Sequence, residues 1–196
     1  LDPLDFFGHV RLYEIFEASG DFAAAERELL KFRGLPGGTT LNTLGGGINL
    51  SQSRRDLIGL RKAIGELLAA GVGQPFLREM QSVPLEDSAA YRKALRRQIA
   101  SVGFPAIVGA TTRIAQWAAF FGDHDLALQA LDVMRGQNFT IDTMAEELWR
   151  PSLAALRNEV KFKQVLRELG VVDYWRATGN WGRFCKPAGS EEFECH

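Results

Sequence analysis

Two glycine-aspartate turns, at Gly20-Asp21 and Gly122-Asp123, constrain the fold of this chain more than any other feature. Each turn separates two segments in which apolar side chains recur every three or four residues, the spacing that aligns them along one face of a helix. Around the first turn these positions are Phe6, Val10, Tyr13 and Phe16, followed by Ala25, Leu29 and Phe32. Both turns therefore predict a pair of antiparallel helices joined by a short connection.

The segment between the first helix pair and residue 54 lacks this periodicity. It contains Pro36 and glycines at positions 34, 37, 38, 45, 46 and 47, which disfavour a helix. We therefore predict a first hairpin over residues 1–33 and a Gly-rich loop over residues 34–53. Loops of that length are typically functional or mobile.

The rest of the chain returns to helical spacing. Residues 54–121 are predicted to form degenerate middle helices, because they lack the glycine-aspartate turn. Residues 122–196 are predicted to form the last hairpins and an aromatic C-terminal cap that includes Tyr174, Trp175 and Trp181. The predicted fold is one all-α domain over residues 1–196.

The charge of the chain is balanced, with a formal net charge of −1 at pH 7. Such a balance provides no general attraction to nucleic acid or to an anionic membrane surface. No run of about 18 or more uninterrupted apolar residues is present, so no membrane-spanning helix is predicted. We expect neither nucleic acid nor a membrane as a partner.

One local basic strip departs from this balance, and it consists of Arg92, Lys93, Arg96 and Arg97 at helical spacing. We interpret the strip first as the solvated face of an amphipathic helix. The alternative is a docking face for an acidic peptide or a nucleic-acid backbone. No aromatic residue interrupts the strip, which disfavours binding to single-stranded nucleic acid.

No catalytic motif is recognisable in the sequence. The glycines at 45–47 lack the Gly-Lys-Ser or Gly-Lys-Thr ending of a phosphate-binding loop. Asp123-His124-Asp125 stands at a predicted helix start, where aspartate is explained by capping and by the helix dipole. His9 has no partner that is apparent from the sequence. We therefore predict that the chain is not an enzyme and needs no cofactor.

Two cysteines and a histidine, Cys185, Cys195 and His196, lie close together near the end of the sequence. Three such side chains are metal ligands in other settings, but a structural metal site normally needs four ligands at tight spacing. No Cys-x-x-Cys pair is present. We therefore predict two free thiols or one disulfide rather than a metal site.

The two turns also resemble a known repeat. Glycine, an aromatic ring, a small residue and a large residue occur in Gly20-Asp21-Phe22 with Ala25 and Leu29, and in Gly122-Asp123-His124 with Ala127 and Leu131. This pattern is similar to the turn and second helix of a tetratricopeptide repeat, whose length is about 34 residues. The resemblance implies an α-solenoid with a right-handed superhelix, in which Ala25 and Ala127 allow close helix packing.

A second resemblance covers the C-terminal third and rests on Trp149, Pro151, Phe162, Tyr174, Trp175, Trp181 and Cys185. This string resembles the C-terminal tail of bacterial tetratricopeptide proteins. In those proteins the repeats often follow an adenylate or guanylate cyclase domain or a winged-helix domain. The resemblance implies a sensory or scaffolding part of a signalling protein, without catalysis of its own.

These observations lead to two functional hypotheses. The first is a protein-interaction module whose concave surface receives a peptide, a protein or a covalently linked N-terminal domain. The second is a small-molecule sensor that binds its ligand between hairpins, under the Gly-rich loop. We expect a cytoplasmic location, with the periplasm left open, and a longer parent protein because the chain begins Leu-Asp-Pro without methionine.

Overall fold

The computed structural model describes residues 5–35, 40–71, 75–105, 108–135 and 147–196. Most of these residues are helical, which agrees with the predicted class, and two short strands lie near the C-terminus. The chain divides into two compact units, unit 1 (residues 1–101) and unit 2 (residues 102–196). The sequence predicted one domain where the structure has these two units.

Among the helices of unit 1, the first five pack against one another in chain order. Their bounds are Phe6–Ser19 (α1), Phe22–Arg33 (α2), Thr40–Ser53 (α3), Leu57–Ala69 (α4), Pro75–Ser82 (α5) and Ser88–Val102 (α6). Helices α4 to α6 correspond to the first part of the predicted middle helices.

The predicted first hairpin is confirmed by α1 and α2. Helix α1 ends at Gly20, whose φ of +80° is a left-handed conformation that glycine adopts without strain. The side chain of Asp21 then accepts a hydrogen bond from the amide of Ala24 at 3.0 Å and caps α2. Tyr13 and Phe32 meet edge to face in the core between the two helices.

The prediction of a Gly-rich loop over residues 34–53 is wrong, because residues 40–53 form helix α3. Residues 36–39 of that predicted loop lie outside the described residues. Gly46 serves close packing. A Cβ atom on Gly46 would lie 2.6 Å from Cδ1 of Leu29, and the Tyr13 hydroxyl donates to the Gly46 carbonyl at 3.0 Å.

Unit 2 begins with the second glycine-aspartate pair of helices. Its elements are Val108–Phe120 (α7), His124–Arg135 (α8), a 3₁₀ helix Pro151–Leu156, Val160–Glu168 (α9), Val171–Thr178 (α10), and the strands Cys185–Ala188 (β1) and Glu192–Cys195 (β2). Helix α7 packs on α8 and on the 3₁₀ helix, and α9 packs on α8 and α10. Gly122 has a φ of +76°, so the predicted turn is confirmed here as well.

The strands β1 and β2 form an antiparallel hairpin that the sequence did not predict. Cys185 is paired with Cys195 across the hairpin, and the two sulfur atoms form a disulfide. Of the alternatives left open by the sequence, the structure thus has the disulfide. Because both sulfur atoms are bonded to each other, neither is a thiolate that could bind a metal.

Aromatic side chains fill the space between the hairpin and the helices of unit 2. Phe162 and Phe193 are fully buried, and Trp175 contacts both Trp149 and Trp181. Pro151 begins the 3₁₀ helix, where its missing amide hydrogen costs nothing. Tyr174, which was predicted to belong to this aromatic cap, is instead 57% exposed.

None of the helices in the described ranges combines the length and the apolar character required to cross a bilayer.

We expect Ala25→Arg and Ala127→Arg each to lower the free energy of unfolding by about 2–4 kcal/mol, because both alanines are fully buried between paired helices. Urea unfolding followed by circular dichroism measures the change. Ala23→Arg is the matched control, since Ala23 is an exposed position of the same helix as Ala25. Equal midpoints for Ala23→Arg and Ala25→Arg would contradict the packing described for α2.

Replacing both cysteines with alanine should lower the free energy of unfolding of unit 2 by about 2–3 kcal/mol, because the disulfide closes a short loop in the unfolded chain. Tryptophan fluorescence during urea unfolding reports on this unit alone, since Trp117, Trp149, Trp175 and Trp181 all lie in it. Wild-type protein treated with a reducing agent should unfold like the double variant. Identical midpoints for oxidised and reduced wild type would contradict a stabilising role.

Candidate functional site

The predicted basic strip lies on α6 and consists of Arg92, Lys93, Arg96 and Arg97. Lys93 is exposed, and Arg97 forms an ion pair with Glu79 of α5. The opposite side of α6 carries the buried side chains Tyr91, Ala94 and Leu95. The strip is therefore the polar side of an amphipathic helix, and a docking role for it stays a prediction.

His9 has a partner that the sequence did not reveal. Its Nδ1 atom lies 2.6 Å from Oε2 of Glu28, and the two side chains are 10% and 9% exposed. Burial works to raise the pKa of Glu28, but the hydrogen bonds and charges of Lys31 and His9 outweigh it and lower the pKa below its ordinary value. The pair joins α1 to α2 through a contact between residues that are 19 positions apart, which is why it was not apparent from the sequence.

Asp123 has the capping role that the sequence predicted. Its Oδ1 atom accepts a hydrogen bond from the amide of Leu126 at 3.3 Å, at the start of α8. In the described part of the chain, this turn included, no three His, Cys, Asp or Glu side chains are grouped so that they could hold a metal. The capping contact gives Asp123 a structural explanation.

The aromatic cluster of unit 2 holds a buried cation. The guanidinium group of Arg157 lies 4.4 Å from the ring centre of Phe184, which stacks on Trp149 at 5.4 Å. Arg157 is 3% exposed, and desolvation lowers its pKa to about 10, so the group is still charged at neutral pH. The chain's own arginine covers these rings, which makes the cluster part of the core rather than a ligand cage.

Helices α2, α3 and α4 of unit 1 form an open groove of about 450 Å³. Each helix contributes a stripe of residues at helical spacing. The stripes are Glu26, Leu29, Leu30 and Arg33 on α2, Leu44, Gly47, Leu50 and Ser51 on α3, and Ile58, Gly59, Lys62, Ala63 and Glu66 on α4. Arg54 and Asp56 complete the lining in the turn between α3 and α4.

The groove is long enough for a short peptide. The stripe on α4 runs from Ile58 to Glu66, which corresponds to about 12 Å at about 1.5 Å per residue. This length matches about four residues of extended chain or about two turns of helix.

Apolar side chains form both the floor and the edges of the groove. Leu44 and Leu50 of α3 are buried and line the floor. Leu30 on α2 is 59% exposed and Ile58 on α4 is 74% exposed, so each edge presents a large apolar side chain to solvent. Leu30 and Ile58 thus offer an apolar contact on each edge of the same groove.

Two ion pairs lie at the two ends of the groove. Arg33, the last residue of α2, lies 3.5 Å from Glu66 near the end of α4. Arg54, which precedes α4, lies 2.8 Å from Glu26 near the start of α2. These pairs show that α2 and α4 run in the same direction on either side of α3.

The sequence analysis did not predict the groove. The binding residues that it proposed lie on α6, whereas the groove is formed by α2, α3 and α4. One signal was available: Leu30 and Ile58 are apolar residues that fall outside the buried stripes containing Leu29 and Leu60. Single exposed apolar residues are common on protein surfaces, so this signal becomes specific only when the structure places both residues on one groove.

No protein-family model matches this chain, and no curated protein or solved structure is similar to it at a significant level. The function therefore has to be argued from the groove residues themselves.

Proposed function

We propose that this chain is a non-catalytic protein-interaction module, and that the groove in unit 1 receives a short apolar segment of a partner protein. The exposure of Leu30 and Ile58 on opposite edges of one groove is the observation that carries the proposal. Full burial of such a side chain contributes up to about 1.5–3 kcal/mol. Two anchors of this size support a weak and reversible contact.

The shape of the site favours a peptide over a small molecule. A small ligand is usually enclosed over most of its surface, whereas the edges of this groove are solvent-exposed. The sensor hypothesis placed its ligand under a Gly-rich loop, whereas residues 40–53 of that segment form the helix α3. These residues therefore line the floor of the groove instead of covering it.

In a helical-repeat protein, a groove of this kind would lie on the surface that binds partner proteins. In stacked helical hairpins each repeat contacts only its neighbours, and the concave side receives extended partners. The packing of α1 to α5 in chain order is compatible with such an array. The tetratricopeptide type, the superhelix and the link to a cyclase or winged-helix signalling protein are parts of this proposal.

Selection from a displayed library of random eight-residue peptides, with the full chain as bait, tests the proposal. We expect wild type to recover peptides with a large apolar residue, and Ile58→Asp to bind the same peptides at least about tenfold more weakly, because a charge replaces an apolar anchor. Fluorescence polarisation of labelled peptides measures the change. Leu30→Asp should have a similar effect from the opposite edge.

Val160→Asp is a matched control for Ile58→Asp. Val160 is 78% exposed in the first turn of α9, as Ile58 is in the first turn of α4, and aspartate is favourable at both helix starts. We expect Val160→Asp to bind the selected peptides like wild type. Equal binding by the wild type, Ile58→Asp and Leu30→Asp would refute the groove as the docking site.

The compartment is a further part of the proposal. The sequence led us to expect the cytoplasm, with the periplasm left open, and the Cys185–Cys195 disulfide favours the second of these. Disulfides persist in oxidising compartments and are rare in the reducing cytosol. We expect protein trapped in its native host with a thiol-alkylating reagent to gain no mass without prior reduction, and two alkylated cysteines would instead place it in a reducing compartment.

A further inference from the structure

One positively charged side chain of the groove has no acidic partner among the described residues. Lys62 lies on α4, one helical turn after Ile58 and one turn before Glu66. It is exposed, and the structure gives its ammonium group no hydrogen bond or ion pair with any residue that it describes. Both arginines of the groove, in contrast, are paired with glutamates.

The acidic side chains of the groove are already engaged. Glu26 and Glu66 accept from the two arginines, and Asp56 accepts a hydrogen bond from the amide of Gly59 at 2.9 Å, at the start of α4. An aspartate at a helix N-terminus is further stabilised by the helix dipole. The positive charge of Lys62 is therefore the charge in this lining that an incoming group would neutralise.

Building on the proposed function, we propose that the groove selects peptide segments in which a carboxylate stands near the apolar anchor, and that Lys62 is the residue that recognises the carboxylate. The apolar anchor contacts Ile58 and Leu30, while the acidic side chain reaches the ammonium group of Lys62. Charge complementarity of this kind contributes specificity more than affinity. The partner is thus an acidic-apolar segment rather than a basic one.

The spacing on α4 also defines the spacing in the peptide. Ile58 and Lys62 are four residues apart, which is about 6 Å along the helix. In an extended peptide, residues i and i+2 are separated by about 6.6 Å and point to the same side. We therefore expect an acidic residue two positions from the apolar anchor in extended ligands.

Parallel selections from the random peptide library test this inference, with wild type, Lys62→Glu and Lys62→Met as baits. We expect wild type to enrich aspartate or glutamate two positions from the anchor, Lys62→Glu to enrich lysine or arginine there, and Lys62→Met to lose the charge preference. For the leading acidic peptide, Lys62→Glu should weaken binding at least about fivefold. Lys161→Glu, at an exposed lysine of α9, is the matched control and should behave like wild type.

The outcomes separate this inference from the proposed function. If the peptides depend on Ile58 but show the same charge preference with wild type and Lys62→Glu, the recognition by Lys62 is refuted and the docking groove stands. If no bait recovers a peptide that depends on Ile58, both proposals fail. A circular dichroism spectrum like that of wild type shows that each Lys62 variant is folded, so a lost preference reports on recognition.

Discussion

The close approach of α3 to its neighbours is the constraint on which unit 1 depends. A side chain at Gly46 would meet Leu29 of α2, and the buried hydroxyl of Tyr13 reaches the Gly46 carbonyl because the α3 backbone is near α1. Glycine in a helix costs about 1 kcal/mol relative to alanine. The burial of Leu44, Ile48 and Leu50 on the same helix offsets that cost, at about 1.5–3 kcal/mol for each fully buried side chain.

The same close approach determines the groove. Helix α3 forms the floor between α2 and α4, whose edges carry Leu30 and Ile58. The ion pairs Arg33–Glu66 and Arg54–Glu26 join the two flanking helices at matching ends, but exposed pairs of this kind contribute only about 0–1 kcal/mol. Apolar packing thus sets the shape of the groove, and the ion pairs mark the direction of its helices.

The sequence predicted those structural features that depend on residues close together in the chain, and it missed those that depend on tertiary packing. The Gly20 and Gly122 turns were predicted because a left-handed glycine and a following aspartate cap act within a few residues. Helix α3 was missed because the local propensity of three glycines opposed a helix that tertiary packing stabilises. Leu44 and Ile48 are spaced four residues apart, and this spacing was the evidence for a helix.

The groove and the β-hairpin were missed for a different reason. Both depend on residues that are distant in the chain, such as Leu30 and Ile58 in the groove or Phe193 against Trp175 in the hairpin. The alternation of Phe193 and Cys195 as buried residues is too short to indicate a strand by itself. The basic strip on α6 was prominent in the sequence because its four charges fall within six residues, whereas the groove brings together residues from three helices.

Unit 2 buries the charge of Arg157, for which the structure describes no carboxylate side-chain partner. Its guanidinium group donates to the carbonyls of Trp149 and His196, and the ring of Phe184 covers it. These contacts offset part of the cost of desolvating the cation, since each unmade hydrogen bond leaves that cost uncompensated. The hairpin supplies Phe184 and His196 from its two ends, and the disulfide holds those ends together. The disulfide therefore supports the burial of Arg157, because opening the hairpin would remove two of the groups that contact its guanidinium.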